Sequence, residues 1–129
     1  AYEEIEERLG ILALRLGYKP KGMELTKVTI GEDMGEAQME FWSGDSILRI
    51  YENKQSRNAT FDTQFDGKII DSIDTFFNGE KLNILEIDSE SEEFLATELE
   101  RGNTYYYITF SYNLDEFKEI VQGIYFKSV

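Results

Sequence analysis

The 129-residue chain carries 26 acidic against 13 basic residues, a net charge of −13, and has no histidine and no cysteine. These totals exclude a Ser-His-Asp triad, a Cys-His pair, an HExxH zinc site, thiolate metal ligation and disulfides. They also disfavour nucleic acid and anionic membrane surfaces, because so acidic a chain repels phosphate and no basic stripe offsets it.

A chain of this length makes one domain and buries roughly two-thirds of the surface its unfolded form exposes. No apolar run approaches the eighteen or so residues of a membrane span, and no signal-peptide pattern is present. The acid excess reads as solubility ahead of steering toward a basic partner. The missing cysteines leave the compartment open.

Tyr2, Ile5, Leu9, Leu12 and Leu16 recur at spacings of three and four, one apolar stripe that predicts a helix over about 2–16. Glu3, Glu4, Glu6 and Glu7 suit its first half, where the helix dipole favours negative charge. Gly17 is the expected residue after its end, and Pro20 cannot extend it.

The period then changes to two. Met23–Ile30 is the first expected strand. Glu36–Trp42 alternates, with Ala37, Met39 and Phe41 on one face and Glu36, Gln38 and Glu40 on the other. Ser43–Ser46 is a turn and Ile47–Gln55 returns, which predicts a hairpin. Ser56–Gly67 has no sustained period and reads as a loop. Lys68–Phe77 and Lys81–Ile87 flank Asn78-Gly79, a type I′ hairpin signal, since both central residues need positive φ. Phe94–Glu100 and Thr104–Tyr112 make a last hairpin around Arg101-Gly102-Asn103.

Asn113 is a good N-cap with Glu116 three residues on, a capping-box pattern, and Tyr112 is placed to staple onto Phe117. Leu114, Phe117, Ile120, Val121 and Ile124 trace the apolar face of a helix over about 114–125. On the preceding strand Tyr105 and Tyr107 point one way, and Tyr106, Ile108 and Phe110 the other. A strand apolar on both faces is a central strand covered on both sides, and the two terminal helices are the expected covers. The fold class is therefore α+β: one domain, a mostly antiparallel twisted sheet of about six or seven strands, and a helix at each end of the sequence.

Chemistry-bearing signals are few. The acidic stretches Gly31–Glu36 and Asp88–Glu93 lack the spacing of a calcium loop and read as solvated turns. Carboxylate pairs are inevitable among 26 acids. Asn58-Ala59-Thr60 matches a glycosylation sequon, which has meaning only in a eukaryotic secretory pathway. Trp42 lies by alternation on the polar face with Gln38 and Glu40, beside a turn. It is placed to stack on a sugar or to anchor a protein partner. The competing reading packs it across the hairpin on Tyr51, or under a helix. Trp42, Tyr51, Tyr105 and Tyr107 are the candidate binding residues. No catalytic residue, metal ligand or cofactor is expected.

Three stretches, Leu16–Leu25, Gln38–Gln55 and Asn103–Phe126, stand in an order that resembles a bacterial family of domains of unknown function found as the extracytoplasmic C-terminal part of membrane-anchored proteins. Some members resemble anti-sigma factors and others lipoproteins. The shared pattern is a Y-x-P-x-G turn (Tyr18, Pro20, Gly22), a hairpin whose return strand ends near Gln55, and an aromatic strand followed by L-x-E-x-x-x-I (Leu114, Glu116, Ile120). The resemblance implies a sensory or binding module outside the membrane, with an anchor upstream of this chain; the abrupt helical start suits that expectation. The implied partner is a protein or a cell-envelope ligand. The other reading is a soluble enzyme, or a carbohydrate-processing or carbohydrate-binding accessory domain, that uses surface carboxylates and Trp42 in a concave cleft.

Overall fold

A computed structural model of the chain describes residues 1–54, 67–88 and 92–127. The alternating segments become strands: β2 (Glu24–Gly31), β3 (Glu36–Ser43), β4 (Ser46–Asn53), β5 (Gly67–Asp74), β6 (Lys81–Asp88), β7 (Glu93–Arg101) and β8 (Thr104–Ser111). They form one antiparallel seven-stranded sheet in the order β2-β3-β4-β8-β7-β6-β5. The aromatic strand β8 stands in the middle, as its two apolar faces require. Its neighbour β4 comes from far back in the chain, so the first three strands and the last four meet along one seam. A second, two-stranded sheet pairs β1 (Arg15–Leu16) with β9 (Ile124–Tyr125).

The helices are shorter than the apolar stripes suggest. Helix α1 covers Tyr2–Leu9 and stops at Gly10, which takes φ 70° and closes the helix with its own N–H on the Glu6 carbonyl. Glycine adopts that left-handed geometry without a Cβ penalty. Leu12 and Leu16, expected on the helix, lie beyond it. There the backbone turns to other partners: Ala13 N–H donates to Glu6, Leu14 N–H to Glu52, and the Leu12 carbonyl accepts from Tyr106. Gly17 is therefore not the end of a helix. It permits a close approach, since its N–H donates to Gly123 O at 2.9 Å and a Cβ there would sit 2.5 Å from that oxygen. Helix α2 covers Leu114–Gln122 and ends at Gly123, and Ile124 passes into β9.

Asn113 caps α2 by accepting from Glu116 N at 3.2 Å. The reciprocal half of the box does not form, because Glu116 reaches to the Tyr18 hydroxyl at 2.8 Å. The staple does not form either. Phe117 stacks on Phe110 at 5.9 Å, while half-exposed Tyr112 donates to Glu86. The Asn78-Gly79 turn is wider than a two-residue hairpin, because β5 ends at Asp74 and Asn78 Oδ1 accepts from both Thr75 and Glu80. Phe77 is drawn against Phe126 and beneath Arg101.

Cross-strand partners share a face. Met39, Ile50, Ile108 and Thr97 lie on one face, together with Phe41, Leu48, Phe110 and Leu95. Ile5 and Leu9 of α1 and Phe117, Ile120 and Val121 of α2 join these residues in one buried core. Both helices thus cover the same face. The expected cover on each side is not what forms: the Tyr105 and Tyr107 side of β8 faces away from α1 and α2. The reason is topological. Leaving β8 through the Asn113 cap sends α2 back over Phe110, and the 10–14 segment is tied to Tyr106 and Glu52, which point the same way as Phe110. The sequon, Gln55, the segment read as a loop over Ser56–Gly67 except Gly67, and the centre of the 88–93 acidic run fall outside the described residues.

Candidate functional site

The face turned away from the helices is built by the alternate residues of β3, β4, β8 and β7. The register sets Gln38, Tyr51, Tyr107 and Glu98 in one row. The next row outward is Asn53, Tyr105 and Glu100, and the row on the other side is Glu40, Arg49, Thr109 and Ala96. Trp42 follows opposite Ile47. Three of the four candidate residues come together here. Tyr105 and Tyr107 stack at 6.4 Å with 15° between planes, and Tyr51 and Tyr107 meet at 6.1 Å. Offset rings at these separations attract beyond their area burial.

Tyr105 is buried, and its hydroxyl donates to Glu98 Oε2 at 2.6 Å. Burial raises the Tyr51 phenol and lifts Tyr107 to about 12, with Glu98 adding to the latter. These phenols stay neutral, so the charge on this face comes from Glu98, Glu100, Glu40 and Arg49 rather than from the tyrosines.

Trp42 stands apart from the tyrosines. It does not pack on Tyr51, whose cross-strand partner is Gln38. It is 40 % exposed, and its indole N–H donates to Glu40 Oε1 at 2.7 Å. The other oxygen of Glu40 accepts from Arg49 Nε at 3.0 Å. These two bonds, Trp42 first, hold the Glu40 carboxyl below its usual range, so it is ionised. Glu40 and Arg49 were not singled out in the sequence. The signal was present: the turn places Ser43 opposite Ser46, and counting back makes Glu40 and Arg49 cross-strand partners.

One titratable group lies on the helix face instead. Glu52 is fully buried, and desolvation lifts its carboxyl to about 8, against the bond from Leu14 N–H, with Glu6 adding to the rise. It is a neutral acid sealed in the core. Among the described residues no group of three or more acidic side chains is arranged to hold a metal ion. None of their helices is long and apolar enough to cross a membrane.

Fold and site together define an α+β domain with a layer of helices on one face of an antiparallel sheet and a tyrosine-rich, partly buried face on the other. The chain belongs to the family described as a domain of unknown function (DUF4367), whose model matches residues 13–124. The match begins at Ala13, just past α1. Comparison with curated proteins and with solved structures returned no match.

Proposed function

We propose that this domain is a non-enzymatic binding or sensor module, held outside the membrane as part of a membrane-anchored bacterial protein of the anti-sigma-like or lipoprotein kind. The observation that carries the binding half is the face turned away from the helices. Trp42, Tyr51 and Tyr107 stand on adjacent strands there, with a pinned Arg49 between them. Rigid aromatic side chains on strands lose little freedom when they engage a partner. The non-enzymatic half draws on where the perturbed groups lie. Among the described residues the carboxyl displaced furthest upward, Glu52, is inside the core, where no substrate meets it. The location outside the membrane draws on the Tyr18, Pro20, Gly22 turn and the Leu114, Glu116, Ile120 helix start, which resemble extracytoplasmic domains.

Two measurements test the reading. Protease shaving of intact cells that express the full-length protein is expected to remove this domain; protection until lysis rejects the location. Amide chemical shifts of the labelled domain, titrated with a solubilised bacterial envelope extract, are expected to move around Trp42, Tyr51 and Tyr107. Shifts confined to the helix layer reject the binding face.

A further inference from the structure

Trp42 and Arg49 lie diagonally on neighbouring strands and are joined through one carboxylate. The indole N–H is already used by Glu40, so what the ring offers a ligand is its flat face rather than a donor. The ring plane is set by that bond, and 40 % of the residue remains exposed. Arg49 is pinned through Nε, and its two terminal amino groups make no hydrogen bond or ion pair with the described residues. They present four N–H donors in a fixed plane.

A ligand that fits must therefore bring an apolar C–H face and acceptor oxygens at its rim. A pyranose ring carries both. Diagonal neighbours on a sheet lie about 7–8 Å apart, which suits one sugar ring stacked on Trp42 with its hydroxyls reaching Arg49. Charge narrows the class. Glu24 and Lys27 on β2 stand opposite Trp42 and Glu40, so with Arg49 two acids and two bases balance locally, and the chain as a whole carries −13, which disfavours phosphorylated or uronic sugars. A proline-rich peptide needs a slot between aromatic rings, but the cross-strand partners of Trp42 are Glu24 and Ile47.

We propose that Trp42 and Arg49, bridged by Glu40, form a subsite for a neutral saccharide. This rests on the reading of the same face as a binding face and names its ligand class. Glu40 is a positioning residue that orients both neighbours.

Trp42 is the one tryptophan of the chain, so its fluorescence reports on this subsite alone. The domain is titrated to millimolar concentration with cellohexaose, chitohexaose, xylohexaose and mannohexaose, and in parallel with decaproline. At least one saccharide is expected to shift the emission saturably. Calorimetry is expected to show that binding lost in Trp42→Ala and largely kept in Trp42→Phe, with Arg49→Ala weaker by roughly tenfold through loss of charge-assisted donors. Glu40→Gln is expected to weaken binding and to broaden the free emission spectrum, a readout of the ring's lost orientation. Circular dichroism of each variant identifies any that fail to fold. No response to all four saccharides overturns the proposal. So does saccharide binding that survives Trp42→Ala. A response to decaproline alone overturns the saccharide class while the binding face stands. If the envelope extract also leaves this face unmoved, both readings fall.

Discussion

The Leu14 amide donates to Oε1 of Glu52 at 2.8 Å, across 38 positions of sequence. Leu14 and Glu52 are both fully buried. The bond ties the segment after α1 to the centre of the sheet, and it places a carboxyl among Leu48, Ile50 and Tyr106. The second oxygen of Glu52 has no hydrogen-bond partner. A buried carboxyl with one donor is more stable protonated than charged.

A pH dependence follows with a definite sign. Unfolded Glu52 titrates near 4.5 and folded Glu52 near 8, so between these values the folded state holds the extra proton. Stability then falls as pH rises across that window, by roughly 1.4 kcal/mol per pH unit from this group, and levels off above it. Glu52→Gln keeps the shape and removes the titration. In urea melts from pH 4 to 8 the variant is expected to match the parent at the acid end and to exceed it by roughly 3 kcal/mol at pH 7. A variant less stable at every pH would show that Glu52 is ionised and paired.

Helix α2 gives an ordered series. Ile120 is fully buried against the sheet, and its replacement by Ala is expected to cost roughly 2–5 kcal/mol. Asn113→Ala removes the cap on Glu116 N and is expected to cost about 1 kcal/mol. Lys118 makes an ion pair with Asp71 of β5 at 2.9 Å. Both partners are about one-third exposed, so Lys118→Ala is expected to cost no more than about 0.5–1 kcal/mol, and less in high salt. Denaturant melts at two salt concentrations check the order and the salt effect together.

Two tyrosines separate a buried hydrogen bond from an exposed one. Tyr106 donates to Leu12 O inside the core, and its phenol is raised by burial first and by Glu52 next. Tyr106→Phe strands that carbonyl and is expected to cost roughly 1–3 kcal/mol. Tyr112 is 48 % exposed, and water replaces Glu86 once its hydroxyl is gone. Tyr112→Phe is expected to stay within about 0.5 kcal/mol in the same melts.

The contact between Gly17 and Gly123 is checked by adding one methyl. Gly17→Ala sets a Cβ against a backbone oxygen, which cannot swing aside, and is expected to cost roughly 1–3 kcal/mol. Gly10→Ala meets no atom within 4 Å and carries only the strain of its positive φ, about 1 kcal/mol. Thermal melts that reverse this order would place the α1 end, rather than the β1–β9 contact, as the tighter constraint.

What the sequence determined by itself was local. Period two marks each of the seven strands to within a few residues, because alternation is a property of neighbouring side chains. Asn113 announces a helix start for the same reason. Two apolar faces on Thr104–Ser111 announce a central strand. Tertiary structure decided everything that depends on which segments meet. The apolar stripe of 2–16 continues past Leu9, yet the backbone at Leu12 and Leu14 finds Tyr106 and Glu52, far away in sequence, and leaves the helix. Whether the two helices share a face is decided by the β4–β8 seam and by the direction in which Asn113 sends the chain. The candidate subsite divides in the same way. Trp42 is legible as an odd residue on a polar face, because alternation is local. Its bond to Glu40 and the fixing of Arg49 are not, because they require the two strands to be in register before the carboxylate stands between its donors.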